Sequence, residues 1–239
     1  MTSVEWNSSQ KILVVLAHPD DPEFFCGASI ARWVEEGHQV VYWLLTCGDK
    51  GSNDAAVKPE ELCALRHQEQ HAAAAILGVT NVNFLGYPDG YLTPDINLRR
   101  DITRIIRLEK PDILVTCDPE TFIVGETRIN HPDHRAAGQA TLDAVFPAAG
   151  NPLYFPELLH EQGLQPHTVS EVWISLTQKP TITLDVTPYW EKKLYALYEH
   201  KSQIGDSQVF TQRMRERRTA DSSPEQPRYE EGFRVVKFK

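Results

Sequence analysis

The sequence predicts an α/β fold, a single-domain, Rossmann-like, doubly wound and mostly parallel sheet, and three observations carry this. Apolar, β-branched runs are continuous rather than alternating, as at Lys11 to Ala17 (KILVVLA), Gln39 to Thr46 (QVVYWLLT) and Ile113 to Cys117 (ILVTC). A strand that is apolar on every residue is buried on both faces, which is the habit of parallel sheets covered by helices. Between these runs lie stretches of helical spacing that stop at Gly37, at Gly78 and before Pro111, residues that end helices. Strands and helices therefore alternate, the pattern of a sheet wound with helices on both sides.

The elements follow in order. Residues 1–10 (MTSVEWNSSQ) form an N-terminal extension, and the domain proper spans 11–205. After the first strand, Ala28 to Glu36 (ASIARWVEE) reads as a helix and Gln39 to Thr46 as the second strand, which together make one βαβ unit. A helix over Pro59 to Leu77, a strand at Val82 to Leu85, a helix over Ile96 to Glu109 and the strand Ile113 to Cys117 repeat the pattern. A further helix runs from Pro132 to about Phe146, and Pro147 to Pro156 reads as a loop or lid. Strands at Glu171 to Leu176 and Thr181 to Val186 and a helix over Pro188 to Gln203 complete the domain. Residues 206–239 are charged and contain Pro, and they read as a loosely held C-terminal tail whose last residues (FRVVKFK) can add an edge strand.

Composition narrows the function. With 41% hydrophobic residues in 239, the chain can bury a sizeable core. A net charge of −9 argues against a sequence-independent grip on nucleic acid, so a small-molecule partner is expected. No apolar run reaches the roughly 18 residues of a membrane span, and the first ten residues lack the marks of a signal peptide, so a cytoplasmic protein is expected. Cys26, Cys47, Cys63 and Cys117 are widely spaced with no CxxC pair, and free thiols are expected at all four.

Two segments carry chemistry. His18-Pro19-Asp20-Asp21-Pro22-Glu23 follows the first buried strand directly, at the carboxyl edge where open α/β sheets bind ligands. Pro19 biases His18 toward an extended backbone, so the turn presents an imidazole and carboxylates from fixed positions. His131-Pro132-Asp133-His134 opens a helix, with Pro132 at its first position, beyond the strand Ile113 to Cys117. Two such turns at one sheet edge can converge on a single ion through His18, Asp21 and His134, and three protein ligands with an open position make a catalytic zinc site.

The paired motifs resemble those of the LmbE-like (PIG-L) zinc-dependent N-acetylglucosaminyl deacetylases, in which an HPDDxE turn and a later HxDH turn build the zinc site. Supporting matches are Thr46 to Gly51 (TCGDKG), Arg66 to Glu69 (RHQE), Leu85 to Gly90 (LGYPDG), Asp185 to Pro188 (DVTP) and His200 to Gln203 (HKSQ). The resemblance covers about residues 11 to 205. It departs at Ala28, where many members carry a second glycine, a change that can narrow the mouth of the site.

The resemblance implies one Zn2+ per chain on His18, Asp21 and His134, with other divalent ions compatible with the same ligands. It implies Asp20 as general base, His131 as the group that stabilises the tetrahedral oxyanion, and Asp133 and Arg66 as residues that orient the metal ligands. The substrate expected is an N-acylated amino-sugar conjugate of the N-acetylglucosamine type. An assembly of identical chains, trimer or hexamer, is expected on the same ground. Other readings stand beside these. Glu23 can favour a helix N-terminus, Arg66 and Glu69 can form an i,i+3 pair, Asp89 can be a turn residue, and His200 can be a packed helix residue. The rival functions are another metal-dependent hydrolase such as a phosphoesterase, which gathers more carboxylates, and a non-catalytic sugar-binding member, which loses the base. Loops 48–58, 119–130 and 147–168 are expected to select the substrate.

Overall fold

The computed structural model describes residues 6–238, so residues 1–5 of the N-terminal extension lie outside the described residues. The chain runs β1 (Lys11–Leu16), α1 (Asp21–Glu35), β2 (Gln39–Thr46), α2 (Pro59–Leu77), β3 (Asn81–Tyr87), α3 (Ile96–Glu109) and β4 (Ile113–Cys117). A small hairpin, β5 (Ile123–Val124) with β6 (Arg128–Ile129), precedes α4 (Pro132–Asp143), a π-type turn over Ala144–Ala149 and α5 (Pro156–His160). There follow β7 (Glu171–Ser175), β8 (Ile182–Asp185), α6 (Trp190–Tyr198), α7 (Lys201–Ile204), α8 (Ser207–Arg215) and β9 (Glu230–Lys237).

The main sheet has seven strands in the order β3-β2-β1-β4-β7-β9-β8. From β3 to β7 all neighbours are parallel, and β9 runs antiparallel to both β7 and β8. The expected doubly wound architecture is thus present, with an antiparallel edge. Burial along β1 explains it: Ile12, Val14 and Leu16 face one core and Leu13, Val15 and Ala17 the other, all fully buried. The chain leaves β1 toward β2 on one side and returns at β4 on the other, which makes the β1/β4 boundary the topological switch point. Crevices form at such a point because the following loops diverge.

Three expectations are corrected. Residues 206–238 of the expected 206–239 tail are not loosely held: α8 forms, capped by Asp206, and β9 sits inside the sheet rather than at its edge, with Phe233 fully buried. In β9 Phe233 and Val235 pack toward the core on either side of the partly exposed Arg234, and the charged residues around them disguise the strand. Cys47 and Cys63 are disulfide-bonded, while Cys26 and Cys117 are free and buried. The end of β2 lies against the first turns of α2, a proximity that a sequence separation of 16 conceals. Helix α1 starts at Asp21, not Ala28, and it breaks at Cys26, where the backbone is non-helical (φ −148°, ψ 20°). Smaller differences are a short helix, α5, that begins at the end of the expected 147–156 loop and a break at Glu199 and His200 in the expected 188–203 helix.

Candidate metal and catalytic site

The turn after β1 is shaped by Asp20, whose backbone is left-handed (φ 87°). Asp is one of the few residues that tolerates this conformation, at a cost of about 1–2 kcal/mol. The reversal sends neighbouring carboxylates in different directions. Asp21 folds back, accepting the His18 backbone N–H through Oδ2 at 2.8 Å. Asp20 turns to Arg66, whose Nη2 donates to Asp20 Oδ2 at 3.1 Å and to the Pro19 carbonyl at 2.7 Å.

The two expected turns do meet. His18 Nδ1 is 3.2 Å from His134 Nε2, His134 Nε2 is 3.1 Å from Asp21 Oδ1, and His18 Nδ1 is 3.4 Å from Asp21 Oδ2. Zinc bonds of roughly 2.0–2.2 Å put tetrahedral ligand atoms about 3.3 Å apart, so the two imidazole nitrogens and the Asp21 carboxylate have separations of the kind that one ion demands. The opposite ring nitrogens fix the tautomers. His134 Nδ1 lies 2.9 Å from Asn130 Oδ1, and an amide oxygen only accepts, so Nδ1 carries the proton and Nε2 a lone pair. His18 Nε2 faces Asp89 Oδ1 at 3.1 Å and Asp133 Oδ2 at 3.4 Å, which leaves its Nδ1 as the lone-pair atom. Burial pushes the Asp21 carboxyl up, but His134 and His18 outweigh it and hold it well below the usual carboxylate range.

Two overlapping groups in this cavity can hold a metal ion: His18, Asp21 and His134, and His18, Asp89, His131 and Asp133. In the second, both Asp133 oxygens are already engaged, accepting the Gly90 N–H at 2.7 Å and the Leu92 N–H at 3.2 Å. Asp89 Oδ2 accepts the Lys50 N–H at 3.3 Å.

The Asp20 side of the site is equally anchored. Arg66 Nη1 donates to the Gly48 carbonyl at 3.0 Å. A Cβ at Gly48 or Gly51 would collide with the Arg66 guanidinium, and Gly48 has φ +68°, which accounts for both glycines of the TCGDKG loop. Burial raises the Asp20 carboxyl to about 6, with Arg66 pulling it down and Asp21 pushing it up. Beneath the turn, Gln70 accepts the Asp20 N–H at 2.8 Å and donates to both Glu23 oxygens at 3.0 and 3.1 Å. His200 Nε2 sits 3.2 Å from Glu23 Oε2, and both side chains are wholly buried. Arg66 and Glu69 do not pair. Glu69 instead accepts from the Ser202 N–H at 2.8 Å and the Ser202 hydroxyl at 2.6 Å, tying α2 to α7.

His131 caps α4, its Nδ1 accepting the Asp133 N–H at 3.2 Å. That bond places the ring proton of the neutral imidazole on Nε2. Burial, then His18, lowers the His131 pKa. The ring stands 4.6 Å from that of His18, edge to face, and lines the cavity.

The cavity measures about 730 Å³ and has His18, Asp20, Asp21, His131 and His134 in its wall. Lys50 and Gly51 from loop 48–58, and Val124 and Arg128 from loop 119–130, join it as expected. No residue of 147–168 lines it. Arg217 and Gly232, from the segment expected to be a tail, do. Ala28 is wholly buried in the core and lies away from the mouth, so its departure from glycine leaves the entrance untouched.

Sequence reasoning missed Asn130, Gln70 and Glu231, the last of which also lines the cavity, and left Asp89, Glu23 and His200 with structural alternatives. Asn130 directly precedes the second motif, and its position four residues before His134 was the one available signal.

Residues 13–145 match the model of the family described as PIG-L, GlcNAc-PI de-N-acetylase. A diacetylchitobiose deacetylase of Thermococcus kodakarensis is 36% identical over 199 residues, 83% of this chain and 72% of that protein. A probable N-acetyl-alpha-D-glucosaminyl L-malate deacetylase of Bacillus anthracis is 28% identical over 208 residues, 82% of this chain and 83% of that one. Among solved structures, the N,N'-diacetylchitobiose deacetylase of Pyrococcus horikoshii superposes with a TM-score of 0.85 at 31% identity, over 96% of this chain and 84% of its own. With the family model spanning more than half of the sequence and relatives above 30% identity aligned over most of it, the chain belongs to the PIG-L (LmbE-like) family of deacetylases.

Proposed function

We propose that this chain is a metal-dependent deacetylase that hydrolyses the acetamido group of an N-acetylglucosamine-type conjugate, with zinc on His18, Asp21 and His134. The observation that carries this is the convergence of His18 Nδ1, His134 Nε2 and an Asp21 carboxylate at 3.1–3.4 Å in the wall of the cavity, with each imidazole's other nitrogen committed elsewhere. The donor set of two imidazoles and a carboxylate is that of a catalytic site rather than a closed structural one. When bound, the ion supplies Lewis-acid polarisation of the amide carbonyl and acidifies the attacking water.

The chain's own groups supply the rest. Asp20 keeps Oδ1 for a water while Arg66 holds Oδ2, so it takes the water proton and returns it to the leaving amine. His131, with its proton on Nε2, donates to the oxyanion that develops on the carbonyl oxygen. Asp89 and Asp133 orient His18, and Asn130 orients His134. The other group, His18, Asp89, His131 and Asp133, is read as this orienting layer because both Asp133 oxygens already accept backbone N–H groups. That argues against a two-metal phosphoesterase, and the presence of Asp20 argues against a non-catalytic member.

The test is a panel of N-acetylated amino-sugar conjugates, including diacetylchitobiose and N-acetylglucosaminyl malate, presented to metal-free and zinc-loaded protein and scored by free amine. Release that depends on zinc with at least one conjugate supports the reading. No release with any, from protein that has taken up one equivalent of zinc, removes it.

A further inference from the structure

Helix α1 carries the metal-binding turn at its front and is broken behind it, at Cys26. A break of this kind orphans the last carbonyls of the front segment and the first amides of the rear one. Here a single buried ion pair serves both. Glu231, on β9, accepts the Ala28 N–H through Oε1 at 3.2 Å and the Ser29 N–H through Oε2 at 2.7 Å. Lys193, on α6, donates from Nζ to the Phe24 carbonyl at 3.0 Å and to Glu231 Oε1 at 2.7 Å. The carboxylate thus lies at the amide end of the rear segment and the ammonium at the carbonyl end of the front one, each sign matched to the helix end it meets.

We propose that Lys193 and Glu231 are positioning residues that clamp the break in α1 and thereby hold the metal-binding turn in register with His134. This rests on the metal site described above. The front segment contains Asp21, the carboxylate ligand, and Phe25, whose ring meets that of the ligand His134 edge to face at 5.2 Å. Any swing of that short segment about Cys26 moves both against His134. The clamp is built without slack: Lys193 and Glu231 are 2% and 5% exposed, and a Cβ at Gly27 would come within 3.3 Å of Lys193 Cγ. The Trp190 ring lies 4.8 Å from the Lys193 ammonium and closes its remaining side. Stability alone does not call for such a pair, since well-packed apolar residues in place of a buried ion pair are often as stable or more so. What apolar residues cannot do is satisfy both ends of a broken helix.

The double variant Lys193→Met/Glu231→Gln leaves no charge unpaired and keeps the side-chain volumes, so it is the informative form. Zinc affinity is read by chelator competition, turnover by kcat and KM, and the caps by amide hydrogen exchange at Ala28 and Ser29. The double variant is expected to fold, to bind zinc about 10- to 100-fold more weakly, as for lost partners of metal ligands, and to lose kcat with KM unchanged. The exchange-swapped variant Lys193→Glu/Glu231→Lys keeps an ion pair but sets an ammonium against the Ala28 and Ser29 N–H groups, and it is expected to do no better. Glu231→Gln alone, which keeps Lys193 and one acceptor, is the fallback should the double variant fail to fold, with a smaller loss in the same direction. Wild-type zinc affinity and kcat in any folded variant of this set overturn the clamp, even where exchange at Ala28 and Ser29 quickens. Failure of the wild type itself to bind a divalent ion removes the site and the clamp together, and so is told apart from failure of the clamp alone.

Discussion

Arg66 grips Asp20 Oδ2 at 3.1 Å while its other terminal nitrogen holds the Gly48 carbonyl at 3.0 Å, so one guanidinium locks the proposed base to the loop after β2. Only a planar fork reaches both partners and Pro19 together. Arg66→Lys is therefore expected to keep the metal and lower kcat by about 10- to 100-fold, the usual scale for loss of an orienting partner. Gly48→Ala should reproduce the defect, because its methyl would displace the guanidinium and its positive φ would be strained. Steady-state kinetics with metal analysis of both variants checks this; full kcat in either would show that Arg66 does not set the base.

The neighbours Asp20 and Asp21 should separate base from ligand. Asp20→Asn keeps the fold and the metal, because the amide still accepts from Arg66, but it cannot take a proton. Its kcat is expected to fall by about 10²- to 10⁴-fold. Asp21→Ala and His134→Ala should instead lose the metal, and with it at least as much rate. Near-full turnover in zinc-bound Asp20→Asn would eliminate it as base, and a full equivalent of zinc in His134→Ala would eliminate the site.

Asn130 lies outside both motifs yet fixes the tautomer of His134. Asn130→Ala should weaken zinc binding by about 10- to 100-fold while leaving Asp20 and the cavity intact. Asn130→Asp should bind zinc at least as tightly as wild type, since a carboxylate accepts the same Nδ1–H more strongly. The order Asp, Asn, Ala in a chelator competition is the expected result, and an Ala variant equal to wild type would contradict it.

How far the site was legible follows from where its atoms come from. His18, Asp20, Asp21, His131, Asp133 and His134 sit in two short turns, each of which opens a helix with a proline in its first turn, so local spacing announces them. The residues that complete the site come from elsewhere in the chain. Gln70 meets Glu23 across 47 positions, and Glu231 meets Ser29 across 202. The reading of a helix from Ala28 had a physical root, because α1 does resume there, but the cap that lets it resume comes from β9. Strand β9 was expected only in its last residues, and at an edge, because EEGFRVVK carries the charges of a tail at four of its eight positions and hides Phe233, which packs in the core. The parallel, helix-covered character of the sheet, by contrast, was legible in the continuous apolar runs, which leave a parallel strand no exposed face.

The buried pair His200 and Glu23 gives a pH dependence of folding stability. Burial alone would lower the His200 pKa, but the hydrogen bond and charge of Glu23, with Asp20 and Glu69 adding, raise it above its ordinary value near 6.5. The folded protein therefore holds a proton on His200 at pH values where the unfolded chain has released it. The stabilisation is fully present below about pH 6.5 and is lost as pH rises through the folded-state value, with a slope of at most about 1.4 kcal/mol per pH unit for one group. In metal-free protein, the difference in unfolding free energy between wild type and His200→Gln should shrink as pH is raised from 6 to 9. Glu23 would still accept from Gln70, so the variant should fold and keep a flatter profile. Parallel profiles for the two proteins in urea unfolding across that range would mean that His200 is neutral in the folded state and packs as an uncharged side chain.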